Sequence, residues 1–140
     1  MFVGYPKPGT HPNEEYAILK NRKGFIRMAA KHGIPIVPIY CFGATKMFRR
    51  LQISALERLS HALRVSVCVF YGMCGLPIPF RQRLLYVMGE PLYPSGSGLE
   101  GAALENEVTH LHEQFCSEIS RLFEKHKHSY GWDNKVLKII

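Results

Sequence analysis

An α/β fold, made of helix–strand units and closed by a long carboxy-terminal helix, is what the sequence predicts, and three features predict it. A basic amphipathic stretch stops at Gly33-Ile34-Pro35 and passes at once into the apolar run of residues 36–42. Two more short apolar runs, residues 65–70 and 84–88, are each followed by glycine and proline. Last, Leu104, Val108, Leu111, Phe115, Ile119 and Leu122 recur in steps of three and four, the spacing of a helix with one buried face.

The elements follow in order. Residues 1–19 carry Gly4, Pro6, Pro8, Gly9 and Pro12 and read as an irregular loop. Residues 22–32 read as a helix. Asn21 is placed to cap it, and Phe25, Met28, Ala29 and His32 share one side. Gly33 and Pro35 end it. Residues 36–42, rich in β-branched and aromatic side chains, read as a strand buried on both faces, with Pro38 removing one ladder donor. Residues 46–64 give an imperfect helical stripe of Phe48, Leu51, Leu56, Leu59 and Leu63 set among Lys46, Arg49, Arg50, Arg58 and Arg64. A wet-faced core helix and an interfacial helix on anionic lipid both fit that pattern. Residues 65–70 and 84–88 are strand candidates, residues 94–100 a flexible linker, and residues 101–127 the long helix. The tail from Lys135 carries no signal for either element.

The 140 residues are enough for one domain, and 46% hydrophobic with 21% charged residues is a globular balance, not a disordered one. The formal charge of +7 favours anionic partners: nucleic acid, acidic lipid or a phosphate-bearing substrate. No helix-turn-helix, zinc-finger or ribonucleoprotein signature accompanies it, so nucleic acid is the weakest of the three. Residues 1–6 show no basic start followed by an apolar run, as a signal peptide would. The longest uncharged stretch, residues 65–80, is shorter than the roughly 20 residues of a spanning helix and holds Gly72, Gly75, Pro77 and Pro79.

Cys41, Cys68, Cys74 and Cys116 include no Cys-x-x-Cys pair, so no metal site is expected; a Cys68–Cys74 disulfide stays open. Three of the four sit in apolar runs, which suits reduced thiols on the cytosolic side. The histidines offer no His-x4-Asp spacing for a general base. His11-Pro12 reads as a surface loop. His110 and His112 diverge by about 200° on a helix and cannot share a metal. His126 and His128 read as a basic cluster favoured by the helix carboxy-terminus, and His32 as a semi-buried structural group. No catalytic residue is assigned.

A set of ordered blocks adds a family. Leu19-Lys20-Asn21-Arg22-Lys23-Gly24-Phe25-Ile26-Arg27-Met28-Ala29 resembles the Arg-x-Gly-Phe block of type 2 diacylglycerol acyltransferases, and Val37-Pro38-Ile39-Tyr40-Cys41-Phe42-Gly43 resembles their Val-Pro block. Downstream, Gly72, Leu76, Pro77 and Pro79, then Val87-Met88-Gly89-Glu90-Pro91, are similar to the family's closing segment. Leu122-Phe123-Glu124-Lys125-His126-Lys127 before Tyr130-Gly131 is similar to its last helix.

The resemblance implies an incomplete glycerolipid-acyltransferase-like αβ sandwich, residues 1–140 being the carboxy-terminal portion of a single acyltransferase domain. It implies transfer of a fatty acyl group from acyl-coenzyme A to diacylglycerol or a related acylglycerol or alcohol, in triacylglycerol synthesis. Acyl-coenzyme A would be substrate and no cofactor or metal is expected. A membrane lipid surface would be a partner, at the cytosolic face of the endoplasmic reticulum or on lipid droplets. The family's His-Pro-His-Gly block, which carries its catalytic base, has no counterpart in these residues, so the chain by itself is expected to be inactive. In that setting Lys20, Arg22, Lys23 and Gly24 are the expected substrate-binding residues. Cations at a helix start, beside free backbone N–H groups, suit the phosphates of coenzyme A. A solvated charge cluster, with Gly24 serving close packing, is the alternative. The basic stripe of residues 46–64 would face the bilayer that holds the acceptor. A non-catalytic lipid-surface or regulatory module on the same scaffold is the second reading, and a basic nucleic-acid-binding protein the third.

Overall fold

A computed structural model describes residues 3–4, 13–51 and 69–140. Helices and strands are mixed, as the sequence predicts. The strands are β1 (Val3–Gly4), β2 (Glu14–Ala17), β3 (Ile39–Phe42), β4 (Arg49–Leu51), β5 (Val69–Tyr71), β6 (Leu85–Met88) and β7 (Val136–Ile139), and the helices are α1 (Gly24–His32) and α2 (Gly101–Tyr130). Short 3-10 turns lie at Ala44–Lys46 and Met73–Gly75. The chain forms two compact units, Met1–Phe42 with Leu85–Ile140, and Gly43–Leu84.

The larger unit is organised by α2. Its buried face is Val108, Leu111, His112, Phe115, Ile119, Leu122 and Phe123. The three- and four-residue spacing therefore holds, with His112 and Phe123 as members that it does not flag. Against this face lie α1 and the antiparallel pair β3–β6, whose register sets Ile39 opposite Met88 and Phe42 opposite Leu85. An aromatic cluster fills the contact. Phe42 stacks on Phe123 with centroids 5.6 Å apart, and Tyr130 and Trp132 close it at 4.7 Å, edge to face. Gly131 ends α2 in a left-handed turn at φ 85°, which lets the chain fold Trp132 back to 6% exposure over that cluster.

Several expectations change. The helix at residues 22–32 begins at Gly24, with Lys23 as its cap residue and no capping side chain, so Asn21 does not cap it. A backbone bond from Arg22 N–H to the Leu19 carbonyl, 2.9 Å, turns the chain before the helix starts. The buried side of α1 is Ile26, Ala29 and Ala30, with Phe25 packed at its margin. Met28 is 66% exposed and His32 is exposed, because the face that meets α2 is rotated by one residue from the one that Phe25 and Met28 suggest. The strand of residues 36–42 narrows to β3. Pro38 has no N–H to donate, yet its carbonyl accepts from Gly89 N–H at 2.8 Å, and Ile36 makes an isolated bridge to Leu92. Tyr40, Cys41 and Phe42 are buried and Ile39 is half exposed, so burial on both faces holds from Tyr40 onward and fails at Ile39.

Residues 1–19 are not all loop. β2 lies between β1, antiparallel, and β7, parallel, in a three-stranded sheet. The tail after Lys135 thus becomes a strand, and both Leu19 N–H and Lys20 N–H bond to the Ile140 carbonyl at 3.0 Å. Buried Glu15 pairs with Lys135, whose ammonium stands 4.3 Å from the Trp132 ring centre. Residues 94–100 are tied down: Ser95 N–H donates to Glu107 at 2.8 Å and Gly98 N–H to the Lys31 carbonyl at 3.0 Å.

The smaller unit contains the antiparallel pair β4–β5, so the helix expected at residues 46–64 gives way to a strand at Arg49–Leu51. Residues 52–64 of that stripe, and most of the strand at 65–70, lie outside the described residues, as does His11-Pro12. After β5 the chain folds back on itself. Gly72 N–H reaches the Leu76 carbonyl at 2.8 Å and Met73 N–H the Ile78 carbonyl at 2.9 Å, and a Cβ at Gly72 would stand 1.8 Å from the Ile78 oxygen. Only glycine fits there.

Candidate functional site

The two amino-terminal blocks meet around one cavity of about 410 Å³. Leu19 and Phe25 from the first block, and Val37, Ile39, Tyr40 and Cys41 from the second, border it. Successive strand residues point to opposite faces. The cavity touches Ile39, Tyr40 and Cys41 together, so it meets residues of both faces of β3. The remaining wall includes Ala17 at the end of β2, Tyr86 on β6, and Phe115 and Ile119 on α2. Its size falls in the range of about 300–1,000 Å³ usual for small-molecule sites, and its lining is chiefly apolar, as such sites are.

The expected substrate-binding residues sit beside it. Lys20, Arg22, Lys23 and Gly24 form the turn that joins Leu19 to Phe25. Lys20 and Arg22 are exposed and Lys23 is half-buried. No acidic residue stands in the first turn of α1, so nothing in that turn neutralises the helix start. Burial raises the Cys116 thiol pKa on α2, and the Lys23 charge opposes that rise in part. Gly24 is exposed and no atom lies within 4 Å of where its Cβ would be, so it does not serve close packing.

His112, which the sequence reading weighs only as a metal ligand beside His110, has a structural place instead. It is buried on α2, and its Nε2 lies 2.9 Å from the Leu19 carbonyl oxygen. A carbonyl only accepts, so Nε2 carries the hydrogen and the ring is fixed in one tautomer. Cys116 Sγ stands 3.9 Å from the same nitrogen. His112 thereby ties α2 to the turn that displays the basic residues. The signal that could have found it is its position four residues before Cys116 and one after Leu111, on the apolar face. His110 instead faces outward and meets Gln114. His128 bonds to Asp133, which holds that carboxyl below its usual range.

Tyr40 and Tyr86 supply the hydroxyls. Burial, then the nearby Glu15 carboxylate and Cys41, hold the Tyr40 phenol well above the ordinary tyrosine range. The Tyr86 phenol is also raised, chiefly by its hydrogen bond with Cys41. Cys41, Cys74 and Cys116 are free thiols, which removes Cys74 from any disulfide, and Cys68 lies outside the described residues. No group of three potential metal ligands occurs among the described residues. No described helix is long and apolar enough to cross a membrane.

The family model for diacylglycerol acyltransferases matches residues 8–140. The chain belongs to the diacylglycerol acyltransferase family. Among its relatives, human 2-acylglycerol O-acyltransferase 3 is 34% identical over 135 residues, 86% of this chain and 38% of that protein. Human acyl-CoA wax alcohol acyltransferase 2 is 30% identical over 92% of this chain and 42% of its own length. Human diacylglycerol O-acyltransferase 2 is 26% identical over 91% of this chain and 36% of its own length. The chain thus spans roughly two fifths of the relatives it matches. No solved structure matches it. Both blocks that border the cavity fall inside the matched region.

Proposed function

We propose that this protein forms part of an acyltransferase that moves a fatty acyl group from acyl-coenzyme A to diacylglycerol, monoacylglycerol or a long-chain alcohol. The observation that carries the reading is the apolar cavity bordered by Leu19 and Phe25, with Lys20, Arg22 and Lys23 in the turn between them. An acyl-coenzyme A has the matching halves: an apolar chain for the cavity, and phosphates for cations at an uncapped helix start.

In the reaction, the acceptor hydroxyl oxygen attacks the thioester carbonyl carbon. The carbon–sulfur bond breaks, coenzyme A leaves with the hydroxyl proton, and an ester is formed. A base must take that proton in passing. No described histidine borders the cavity, and the 140 residues hold no His-Pro-His-Gly sequence. We assign this chain ligand contacts and not the proton transfer. Its setting would be the cytosolic face of the endoplasmic reticulum membrane, with the acceptor delivered from the bilayer.

Two measurements test the reading. Saturable binding of labelled oleoyl-coenzyme A, displaced by free coenzyme A and weakened about fivefold or more in the Arg22→Ala, Lys23→Ala double variant, is expected; two lost charge-assisted contacts are worth at least that. Label is then offered to diolein, monoolein and hexadecanol; the chain alone should transfer little or none. Absence of saturable binding together with absence of transfer sinks the proposal. Retained binding in the double variant returns Lys20, Arg22 and Lys23 to a solvated cluster.

A further inference from the structure

Tyr40 presents the cavity with a polar group that the fold itself does not use. The residue is 5% exposed, and its ring is held edge-on against Phe42 and Phe123 at 4.7 and 5.5 Å between centroids. Its hydroxyl has no hydrogen-bond partner among the described residues. Every fully enclosed side-chain nitrogen or oxygen of the described residues does have one, so the Tyr40 oxygen is not fully enclosed, and Tyr40 is one of the residues that line the cavity. Burial and the Glu15 carboxylate keep the phenol protonated, so it offers an O–H donor. A nine-tenths buried donor without an acceptor is rare in folded proteins and calls for a ligand or water.

We propose that the cavity takes a fatty chain whose carbonyl oxygen accepts a hydrogen bond from the Tyr40 hydroxyl, so that Tyr40 sets how far the chain enters. The proposal rests on the acyltransferase reading and adds a positioning residue to it. Leu19, Phe25, Ile36, Val37 and Ile39 supply the apolar wall that a hydrocarbon chain needs. The head of the ligand at this point is neutral. Glu15 acts on Tyr40 electrostatically, and a carboxylate or phosphate placed against the hydroxyl would meet that negative charge. A thioester or ester carbonyl meets no such penalty. The carbonyl can therefore belong to acyl-coenzyme A or to the acylglycerol, and the two are separated by experiment.

The test compares the whole chain with its Tyr40→Phe variant, which keeps the ring contacts and removes only the hydroxyl. Palmitoyl-coenzyme A and dipalmitoylglycerol, each carrying 13C at the carbonyl, are the two probes. For at least one of them the bound carbonyl stretch should lie at lower frequency than in alkane solvent. It should return to the unbonded value in Tyr40→Phe, with affinity weakened about two- to tenfold, the worth of one neutral hydrogen bond. The probe that responds identifies the source of the carbonyl. Ile39→Trp, which narrows the cavity from its half-exposed border, should weaken binding without moving the stretch of what still binds; it also serves if Tyr40→Phe fails to fold. Equal affinity and equal stretch in wild type and Tyr40→Phe overturn the role of Tyr40, while the labelled-transfer and coenzyme A displacement results stand or fall separately. Failure of both probes to bind wild type overturns the cavity as a lipid site.

Discussion

Glu118 and Arg121 show what a single pair of residues does on α2. The guanidinium donates to both carboxylate oxygens, at 2.7 and 2.6 Å, one helical turn apart. Glu118 also receives the backbone of Glu90, and a Cβ at Gly89 would come within 2.5 Å of its Oε1. Gly89 is thus the close-approach residue of the Val87-Met88-Gly89-Glu90-Pro91 block: it lets the strand end settle onto the α2 carboxylate. The bond from Arg121 is the first cause that holds the Glu118 pKa below its usual value. A depressed folded-state pKa means stability that is present above the unfolded carboxylate pKa, about 4.3, and lost as pH falls through the folded value. Arg121→Ala should therefore raise the Glu118 pKa in a carbon-detected titration and shift the start of acid unfolding to higher pH. An unchanged Glu118 titration would contradict the assignment. His112 works differently at the same scale. Its bond to the Leu19 carbonyl is structural, and a buried histidine so occupied has no free nitrogen at Nε2 for proton transfer.

At the scale of elements, the join between α1 and the strand that follows decides where the Val-Pro block is delivered. Gly33 ends α1 at φ 64°, and Ile34 N–H bonds back to the Ala29 carbonyl at 2.9 Å. A Cβ on Gly33 would approach the Ser97 Cβ to 2.9 Å, since residues 94–100 pass over this turn. Gly33→Ala should lower stability by about 1–2 kcal/mol from the left-handed backbone alone, read from urea unfolding, with the Ser97 contact adding to it. Pairing Gly33→Ala with Ser97→Gly should recover the contact part only. The sequence marks this turn plainly, because glycine followed by proline two residues later has a local cause. It does not mark β2 or β7. Glu14–Ala17 and Val136–Ile139 are four residues each, and they become strands through pairing across more than a hundred residues of chain.

Across the larger unit, one cluster couples the cavity to the fold. Phe123 is fully buried and stacks with Phe42, while Tyr40 meets it edge-on and Trp132 closes over both. Phe123→Ala should destabilise the unit by about 3–5 kcal/mol, the usual loss for a buried phenylalanine. Trp132 is the single tryptophan of the chain and is buried in this cluster, so its fluorescence reports the event directly. The expected result is a lower urea midpoint by tryptophan emission. Binding of palmitoyl-coenzyme A should weaken with it, because the same ring supports Tyr40 at the cavity.

The sequence by itself determined the mixed α/β class, α2 and its apolar face, β6 within a residue, β3 within three residues at its start, and membership of an acyltransferase family through its ordered blocks. These are local periodicities and local words, and each is written in a run of adjacent residues. Tertiary structure decided the rest. It rotated the buried face of α1 onto Ile26 and Ala30 and placed a strand at Arg49–Leu51 where helical spacing was read. It also brought Tyr40, Phe115 and Ala17 to one cavity wall. Which face is buried, which strand finds a partner and where empty space remains depend on surfaces distant in sequence, so no window of residues contains them. For that reason the chain offers Lys20, Arg22, Lys23 and Gly24 as candidates from adjacent residues alone, while Tyr40 and His112 become candidates only once the elements are packed.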